Sequence, residues 1–233
     1  MMTTDPSRVI LFFVKAPQRG RVKSRLASAL GEDDALAAYR AFVQDMIDTL
    51  DAAGLRTLIC VSPPEGLPAV SAWLGGQRTY KVQTGEDLGS RMEHAFRSAF
   101  RSGVKRAVLI GSDLPDLPAE TFVRSIEALD RHDAVIGPAA DGGYYLIGFR
   151  DDGFRPEVFR DIHWSTPAVF DETMAVFSRT GSRVHRLPQW RDVDTIGDLQ
   201  DLYERNRGTM FERSRTMHVL KKYYAARGKE SLK

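Results

Sequence analysis

The feature that most constrains the fold is an alternation of two kinds of segment along the chain. Short apolar runs rich in β-branched residues are separated by longer segments in which apolar residues recur at helical spacing. This alternation is typical of a mostly parallel sheet with helices on both faces, so it predicts an α/β fold built as a three-layer α/β/α sandwich. The predicted strands are RVILFFV, TLICV, YKVQT, RAVLIGS, DAVIGPA, YYLIGF and RVHRLP.

The helix predicted between the first two strands is the best marked. Its apolar residues follow the i, i+3, i+4 rule, and Gly54 is a suitable stop. These apolar positions are Leu36, Tyr39, Val43, Met46, Ile47 and Leu50. Two further helices are predicted, over about residues 88–100 and over PAETFVRSIEALD.

Size and composition indicate a protein that folds without covalent cross-links. The 233 residues are 42% hydrophobic, which is enough for a full core, and the single cysteine, Cys60, lies inside an apolar run. The first residues lack the pattern of a signal peptide, and no apolar run approaches the ~20 residues needed to span a bilayer. We therefore expect a cytoplasmic protein with no stable membrane insertion.

Charged residues are distributed unevenly along the chain. Residues 205–233 carry nine Lys/Arg and two Asp/Glu, whereas residues 1–204 carry 24 and 29. In the basic part, Met210, Met217, Leu220 and Tyr224 fall near helical spacing, as in a helix that packs on the body with its basic face in solvent. We predict one domain over residues 1–204 and a basic helical extension over residues 205–233 packed on it.

Polar loops follow four of the predicted strands. These loops are KAPQRGRVKSRL after the first strand, GEDLGSRM after YKVQT, SDLPDL after RAVLIG, and DGG after DAVIGPA. Open α/β sheets bind ligands at the carboxyl ends of their strands. We therefore expect the four loops to meet in one crevice.

The loop after the first strand is strongly basic. Its cations stand at alternate positions: Arg19, Arg21, Lys23 and Arg25. Where the backbone is extended they point to one side and suit several phosphate oxygens, while Pro17 and Gly20 shape the turn. The chain has neither the Walker A pattern nor G-x-G-x-x-G, which argues against a P-loop NTPase and against NAD(P).

Aspartates in two other segments are candidates for metal binding. Mg²⁺ in phosphate chemistry is commonly held by one or two carboxylates and the substrate, and Asp113, at a strand end, is the first candidate. For Asp116, an N-cap or turn role is the better interpretation. Asp192 and Asp194 alternate around Val193 and share a face in an extended segment, where one of the two is structural.

Further segments add weaker signals. The sequence Asp141-Gly142-Gly143 predicts a hairpin turn and also permits close approach of the backbone to a ligand. The five histidines lack the spacing of a zinc site, and no G-x-S-x-G elbow is present.

The order of these motifs resembles the GT-A-type nucleotide-diphospho-sugar transferase superfamily. The motifs are the basic loop after the first strand, GSDLPDL, GPAADGGYYLIG and DVDTIGDL, and the resemblance runs from about residue 8 to 204. It is closest to an uncharacterised bacterial family of GT-A-like transferases and more distant to the guanylyltransferases for molybdenum cofactor and 2-phospholactate. It implies a GT-A-like fold with a mostly parallel, mixed sheet.

The resemblance also implies site residues and a cofactor. The catalytic residues are Lys23, Arg25 and Asp113. Nucleotide-binding positions are Ala16, Pro17, Gly20, Arg21, Lys23, Arg25, Gly85, Asp141, Gly142 and Gly143. Mg²⁺ or Mn²⁺ is held by Asp113 with Asp192 or Asp194. For transfer of a sugar, the acceptor side is expected at Trp164, Ser165 and Thr166, where Trp164 either stacks on a sugar face or is simply packed.

Three functions stay open on the sequence. The first is a metal-dependent nucleotidyltransferase that uses a nucleoside triphosphate, and the second is a glycosyltransferase that uses a nucleotide sugar, each with a small-molecule acceptor. The third is a non-catalytic nucleotide-binding protein with a decayed site. Nucleic acid is not an expected partner, because the loop cations are packed beside carboxylates rather than spread over a surface. The sequence leaves the oligomeric state open.

Overall fold

A computed structural model describes residues 5–230, where a seven-stranded sheet lies between two layers of helices. The strands are β1 Arg8–Lys15, β2 Thr57–Ser62, β3 Thr79–Val82, β4 Arg106–Ile110, β5 Ala134–Pro138, β6 Tyr144–Arg150 and β7 Val184–Arg186. The helices are α1 Ser24–Leu30, α2 Glu32–Ala52, α3 Leu67–Leu74, α4 Leu88–Arg101, α5 Ala119–Ala128, α6 Val169–Arg179, α7 Ile196–Arg205 and α8 Arg215–Glu230.

The sheet is mixed and mostly parallel, with the strand order β3-β2-β1-β4-β6-β5-β7. Only β6 runs antiparallel to its neighbours, β4 and β5, whereas the other pairs are parallel. The connection from β5 to β6 spans residues 139–143, which is too short for a crossover and forces an antiparallel return. All seven predicted strands form, and the predicted fold class is confirmed.

Strand β1 shows why the predicted strands are nearly continuous apolar runs. Its successive side chains point to opposite faces of the sheet, and helices cover both faces. Ile10 and Phe12 join the core on one face, while Leu11 and Phe13 join the core on the other, and all four are buried. A strand buried on both faces needs apolar residues at every position.

The two helical layers fill these cores with one stripe from each helix. On the first face, Met46 and Leu50 of α2 pack with Phe122 of α5. On the second face, Phe96 of α4 packs with Phe177 of α6. The predicted helices over residues 36–50 and 88–100 therefore lie where their periodicity indicates.

A third apolar cluster joins α8 to α1, α2 and α7. Met217 and Leu220 of α8 are buried there against Leu26 and Phe42. Met210, expected on the same stripe, is 95% exposed, because the α-helix begins only at Arg215. The division of the chain at residue 204 stays a prediction, and residues 231–233 of the predicted extension lie outside the described residues. No helix within residues 5–230 is long and apolar enough to cross a membrane.

Candidate active site

A cleft of about 690 Å³ opens at the carboxyl ends of the central strands. Residues from all four polar loops line it, including Arg25, Leu88, Asp113 and Gly143. Asp194, in the segment between β7 and α7, lines it as well. The loops meet because parallel strands β1, β2, β3 and β4 end at the same edge of the sheet.

The basic loop after β1 is a turn and not an extended row of cations. Gly20 has a φ of 72°, and α1 begins directly after Lys23, so the alternation of the loop cations is broken. Arg19 points away to α2, where its guanidinium pairs with Asp33 at 2.7 Å and with Glu32 at 3.1 Å. The expectation that the four cations share one side is therefore wrong, since the chain turns before the row is complete.

Lys23 is the cation that enters the cleft most deeply. Its ammonium nitrogen lies 2.7 Å from Oδ1 of Asp113, 2.7 Å from Oδ1 of Asp194 and 2.7 Å from the carbonyl oxygen of Val193. The Lys23 side chain is only 4% exposed, whereas both aspartate side chains are 39% exposed. The two predicted carboxylate positions are thus brought together by the predicted cation.

Backbone contacts hold this arrangement in place. Lys23 adopts a left-handed conformation with φ 49° and ψ 48°, which is uncommon for a residue other than glycine. The N–H of Val193 donates to the carbonyl of Asp113 at 3.0 Å, so the segment before α7 is tied to the end of β4. A capping box between Thr195 and Asp198 then starts α7.

The electrostatics of the cluster favour the charged form of Lys23. Burial by itself lowers the pKa of the ammonium, but the charges and hydrogen bonds of Asp113 and Asp194 outweigh burial and raise the pKa above its usual value. Lys23 therefore carries its positive charge at neutral pH. Its removal leaves two carboxylates facing each other.

Asp192 has the opposite environment. Burial raises the pKa of its carboxyl group to about 6, and the neighbouring charges of Asp141, Asp194 and Asp113 act in the same direction. These four carboxylates and the single ammonium of Lys23 leave the cluster with an excess of negative charge.

The donor chemistry of this cluster fits a divalent metal ion. Carboxylate oxygens are the hard ligands that Mg²⁺ and Mn²⁺ prefer, and Asp113, Asp192 and Asp194 all line the cleft. Within residues 5–230, no group of three or more His, Cys, Asp or Glu side chains is already assembled around one point. In place of such a group, Lys23 occupies the position between the Asp113 and Asp194 oxygens.

Asp116 has the structural role that the sequence favours, because it lies in a turn that the Leu117 N–H closes on the Leu114 carbonyl at 3.1 Å. Its carboxylate accepts hydrogen bonds from Arg205 at 2.8 and 3.0 Å, from Asn206 at 2.8 Å and from the indole of Trp190 at 3.3 Å. It is not an N-cap, because α5 begins after Pro118 without a side-chain cap. Asp116 instead fixes the carboxyl end of α7 to the loop after β4.

The hairpin that contains Asp141, Gly142 and Gly143 contacts another part of the protein. Gly142 has a φ of 91°, and a Cβ added there would clash with the carbonyl oxygen of Pro167. The close approach that glycine permits is therefore to the backbone at Pro167, next to the residues predicted for the acceptor side. Asp141 and Gly143 line the cleft, and the predicted hairpin is confirmed.

Of the three residues predicted for the acceptor side, Ser165 and Thr166 are exposed, and both line the cleft. Trp164 is half-buried, with its ring 6.4 Å from that of Tyr144. A Cβ added at Gly89 would lie 2.9 Å from the Trp164 indole, so the tryptophan packs on the start of α4. Trp164 therefore combines a packing role with one face on the cleft.

Several predicted nucleotide-binding residues lie near the cleft without lining it. They are Ala16, Pro17, Gly20, Arg21, Gly85 and Gly142. Ala16 is buried against Gly66, and Gly85 accepts a hydrogen bond from Arg91 at 3.0 Å. Their nucleotide-binding role stays a prediction.

Sequence reasoning missed residues that the fold brings to the cleft. The Tyr39 hydroxyl donates to the Lys15 carbonyl at 2.9 Å and accepts from the Lys15 N–H at 2.8 Å, with the Ser112 hydroxyl 3.5 Å away. Tyr39 fits the apolar stripe of α2, and nothing local marks its polar end. Arg91 and Leu88 also line the cleft. The only sequence signal for them is that both lie in GEDLGSRM, one of the four polar loops predicted to meet there.

The fold and the cleft define a protein of the nucleotide-diphospho-sugar transferase type. A crystal structure from Desulfovibrio desulfuricans G20, of a candidate nucleotide-diphospho-sugar transferase, is 45% identical, with a TM-score of 0.91 over 94% of this chain and 96% of that one. The sequence profile of an uncharacterized protein family conserved in bacteria, DUF2064, matches residues 46–166. The chain belongs to this family, and the predicted superfamily resemblance is confirmed.

Two further comparisons are more distant. The 3-phospho-D-glycerate guanylyltransferase of Phenylobacterium zucineum (strain HLK1) is 31% identical over 137 residues, which are 55% of this chain and 61% of that relative. A Mycobacterium tuberculosis H37Rv protein solved in complex with manganese is 17% identical, with a TM-score of 0.53 over 85% of this chain and 98% of that one. At this identity the likeness to the manganese complex shows the shared fold alone. The guanylyltransferase and the Desulfovibrio structure support an enzyme of the transferase class.

Proposed function

We propose that this protein is a metal-dependent nucleotidyltransferase, which moves the nucleotidyl group of a nucleoside triphosphate to a small phosphorylated acceptor. The observation that carries the proposal is the Lys23 ammonium held between Asp113 and Asp194 in the cleft. Polyphosphate chemistry needs cationic side chains and carboxylates that hold a metal at one place. The cleft brings these groups together from three distant parts of the chain.

The reaction is a displacement at the α-phosphorus. An oxygen of the acceptor phosphate attacks that phosphorus, and a new P–O bond forms. The bond from the α-phosphorus to the bridging oxygen breaks, and pyrophosphate leaves with the electron pair. Asp113 and Asp194, with Asp192, would hold Mg²⁺ or Mn²⁺, which neutralises charge on the phosphate oxygens when bound.

The other contributions come from the side chains of the protein. Arg25, exposed on α1 and lining the cleft, places positive charge beside the leaving pyrophosphate, and Lys23 is the second cation in reach. Ser165 and Thr166, both exposed, lie on the side assigned to the acceptor. Catalysis by such a site is mostly positional and electrostatic.

A guanylyltransferase relative that acts on 3-phospho-D-glycerate supports GTP as the first nucleotide to test and a phosphorylated carboxylic acid as the first acceptor. A second function, glycosyl transfer from a nucleotide sugar, is favoured by one observation. Leu88 and Trp164 give the cleft an apolar wall, and Leu88 is 48% exposed there. Such a wall suits the face of a sugar ring.

The test is an assay for the two possible leaving groups, which are pyrophosphate in nucleotidyl transfer and a nucleoside diphosphate in glycosyl transfer. The protein, supplied with the divalent metal, is incubated with each of the four nucleoside triphosphates and a set of phosphorylated small acids. Pyrophosphate release and the mass of the product are measured. Pyrophosphate release that requires both acceptor and metal, and that is lost in Asp113→Asn, is the expected result. Nucleoside diphosphate release from nucleotide sugars would replace the proposal with glycosyl transfer. Nucleotide binding without either product would indicate the non-catalytic alternative.

A further inference from the structure

We propose that Lys23 is an internal counter-ion that keeps a free divalent cation out of the site between Asp113 and Asp194. Lys23 releases these two carboxylates only when the polyphosphate of an incoming nucleotide accepts hydrogen bonds from its ammonium group. This inference rests on the proposed function, and it adds an order of binding: metal and nucleotide enter together. Lys23 is then the residue that sets this order.

The hydrogen bonds of Lys23 leave it no free donor. An ammonium group has three N–H donors, and three oxygens lie 2.7 Å from the Lys23 nitrogen. These oxygens belong to Asp113, Asp194 and the Val193 carbonyl. Lys23 must therefore release at least one of them before it can bind a phosphate oxygen.

The Lys23 ammonium contacts two of the carboxylates that would hold the metal. A cation shared by Asp113 and Asp194 has to lie within bonding distance of oxygens from both, and the Lys23 nitrogen already contacts Oδ1 of each. A divalent ion placed there would stand beside a buried positive charge. Like charges in a poorly solvated site repel strongly, so Lys23 and the metal compete for the same two oxygens.

Lys23 is built to stay in place in the absence of nucleotide. Its side chain is 4% exposed, with the ammonium 5.9 Å from the centre of the Phe42 ring. Its backbone has a left-handed conformation at the start of α1, and its partner Asp194 lies 171 positions away in sequence. Moving a buried charge away from two carboxylates is costly unless another anion takes their place.

The polyphosphate of a nucleotide supplies that anion and brings its own divalent ion. When a phosphate oxygen accepts from Lys23, Asp113 and Asp194 lose their counter-ion and become free to bind the metal. The binding of metal and the binding of nucleotide therefore strengthen each other, and this coupling is reciprocal. Lys23 is the side chain through which the coupling passes.

The test measures Mn²⁺ binding to metal-free protein by calorimetry without nucleotide or acceptor. Lys23→Met is expected to bind Mn²⁺ roughly 10-fold or more tightly than the wild type. Arg25→Met is the matched control: it removes the same charge from the same loop and cleft, but Arg25 does not hold the two aspartates. Its effect on Mn²⁺ affinity is expected to be far smaller. Equal gains in the two variants would overturn the proposal.

Two further measurements keep the result independent of folding and of the proposed function. Lys23→Gln serves as a second neutral variant if Lys23→Met melts early by circular dichroism. Micromolar Mn²⁺ binding to nucleotide-free wild type would by itself overturn the proposal. A gain in Mn²⁺ affinity in Lys23→Met without transfer in any assay keeps the counter-ion role and removes the proposed function. Transfer activity without a gain in Mn²⁺ affinity in Lys23→Met keeps the proposed function and removes the counter-ion role.

Discussion

Asp113 and Asp116 lie in the same loop after β4, yet the structure uses them in different ways. Asp113 is 39% exposed, faces the cleft and shares one ammonium with Asp194. Asp116 is 4% exposed and accepts hydrogen bonds from Trp190, Arg205 and Asn206. The carboxylate whose bonds are all made within the protein is structural, whereas the one with solvent-facing oxygen is available to a ligand.

Helix α7 connects the two sites. Its first turn follows Asp194, which contacts the Asp113 cluster, and its last turn provides Arg205 to Asp116. One rigid element therefore fixes the distance between a binding site and a structural anchor. Substitution of Asp113 should therefore reduce activity, whereas substitution of Asp116 should reduce stability.

Asp113→Asn is expected to give the largest effect, a loss of transfer of about 100-fold or more, because a metal-binding charge is removed from the cleft. The melting temperature should change little, since Lys23 keeps its contacts with Asp194 and Val193. Turnover and thermal unfolding of the same preparation check both points. Wild-type turnover at limiting Mg²⁺ would show that Asp113 does not hold the metal.

Asp116→Ala is the matched change at the structural site. It leaves Arg205 and Asn206 without their shared acceptor and should lower the free energy of unfolding by about 3 kcal/mol, the scale for breaking a buried ion pair. Chemical denaturation measures this loss. Specific activity of the folded fraction should stay near that of the wild type, and a large fall in it would contradict the division of roles.

Asp192→Asn sharpens the comparison on the side of the cleft. The raised pKa of about 6 means that the folded protein holds this proton more tightly than the unfolded chain, whose usual value is 3.8. Stability therefore falls as pH rises from about 4 to about 6, and the variant should escape this loss. Allowing for solvent screening, we expect Asp192→Asn to be about 1 kcal/mol more stable at neutral pH in metal-free buffer.

Unfolding curves across this pH range are the measurement for Asp192. The two proteins should converge toward about pH 4, where the carboxyl group is protonated in both states of the wild type. A constant difference at every pH would mean that the asparagine acts through packing and not through charge.

Thr195→Ala tests the helix that joins the two sites and should have the smallest effect. The Thr195 side chain accepts from the Asp198 N–H at 3.3 Å and forms one half of the capping box of α7. Loss of an N-cap costs about 1 kcal/mol. Thr195→Ser keeps the hydroxyl and is the control, and equal destabilisation by both changes would show that the cap does not matter.

Much of the fold could be predicted because its signals are local. Seven apolar runs and the stripes of α2 and α4 follow from side-chain periodicity, which depends on neighbours along the chain. The predictions that were wrong concern residues whose regular spacing is interrupted by a turn or by a change of backbone structure. Gly20 turns the basic loop before its cations can align, and Met210 precedes the start of α8 and stays exposed.

The residue types that reach the cleft can be predicted from local sequence: a basic loop, an aspartate after β4 and an aspartate pair before α7. Their partners depend on the packing of the whole chain, since Lys23 and Asp194 are 171 positions apart, and Asp116 and Asn206 are 90 apart. Such contacts are set by how strands and helices pack, and no local spacing encodes them. For the same reason, Tyr39 has the spacing of a core residue, and only folding brings its hydroxyl to the end of β1.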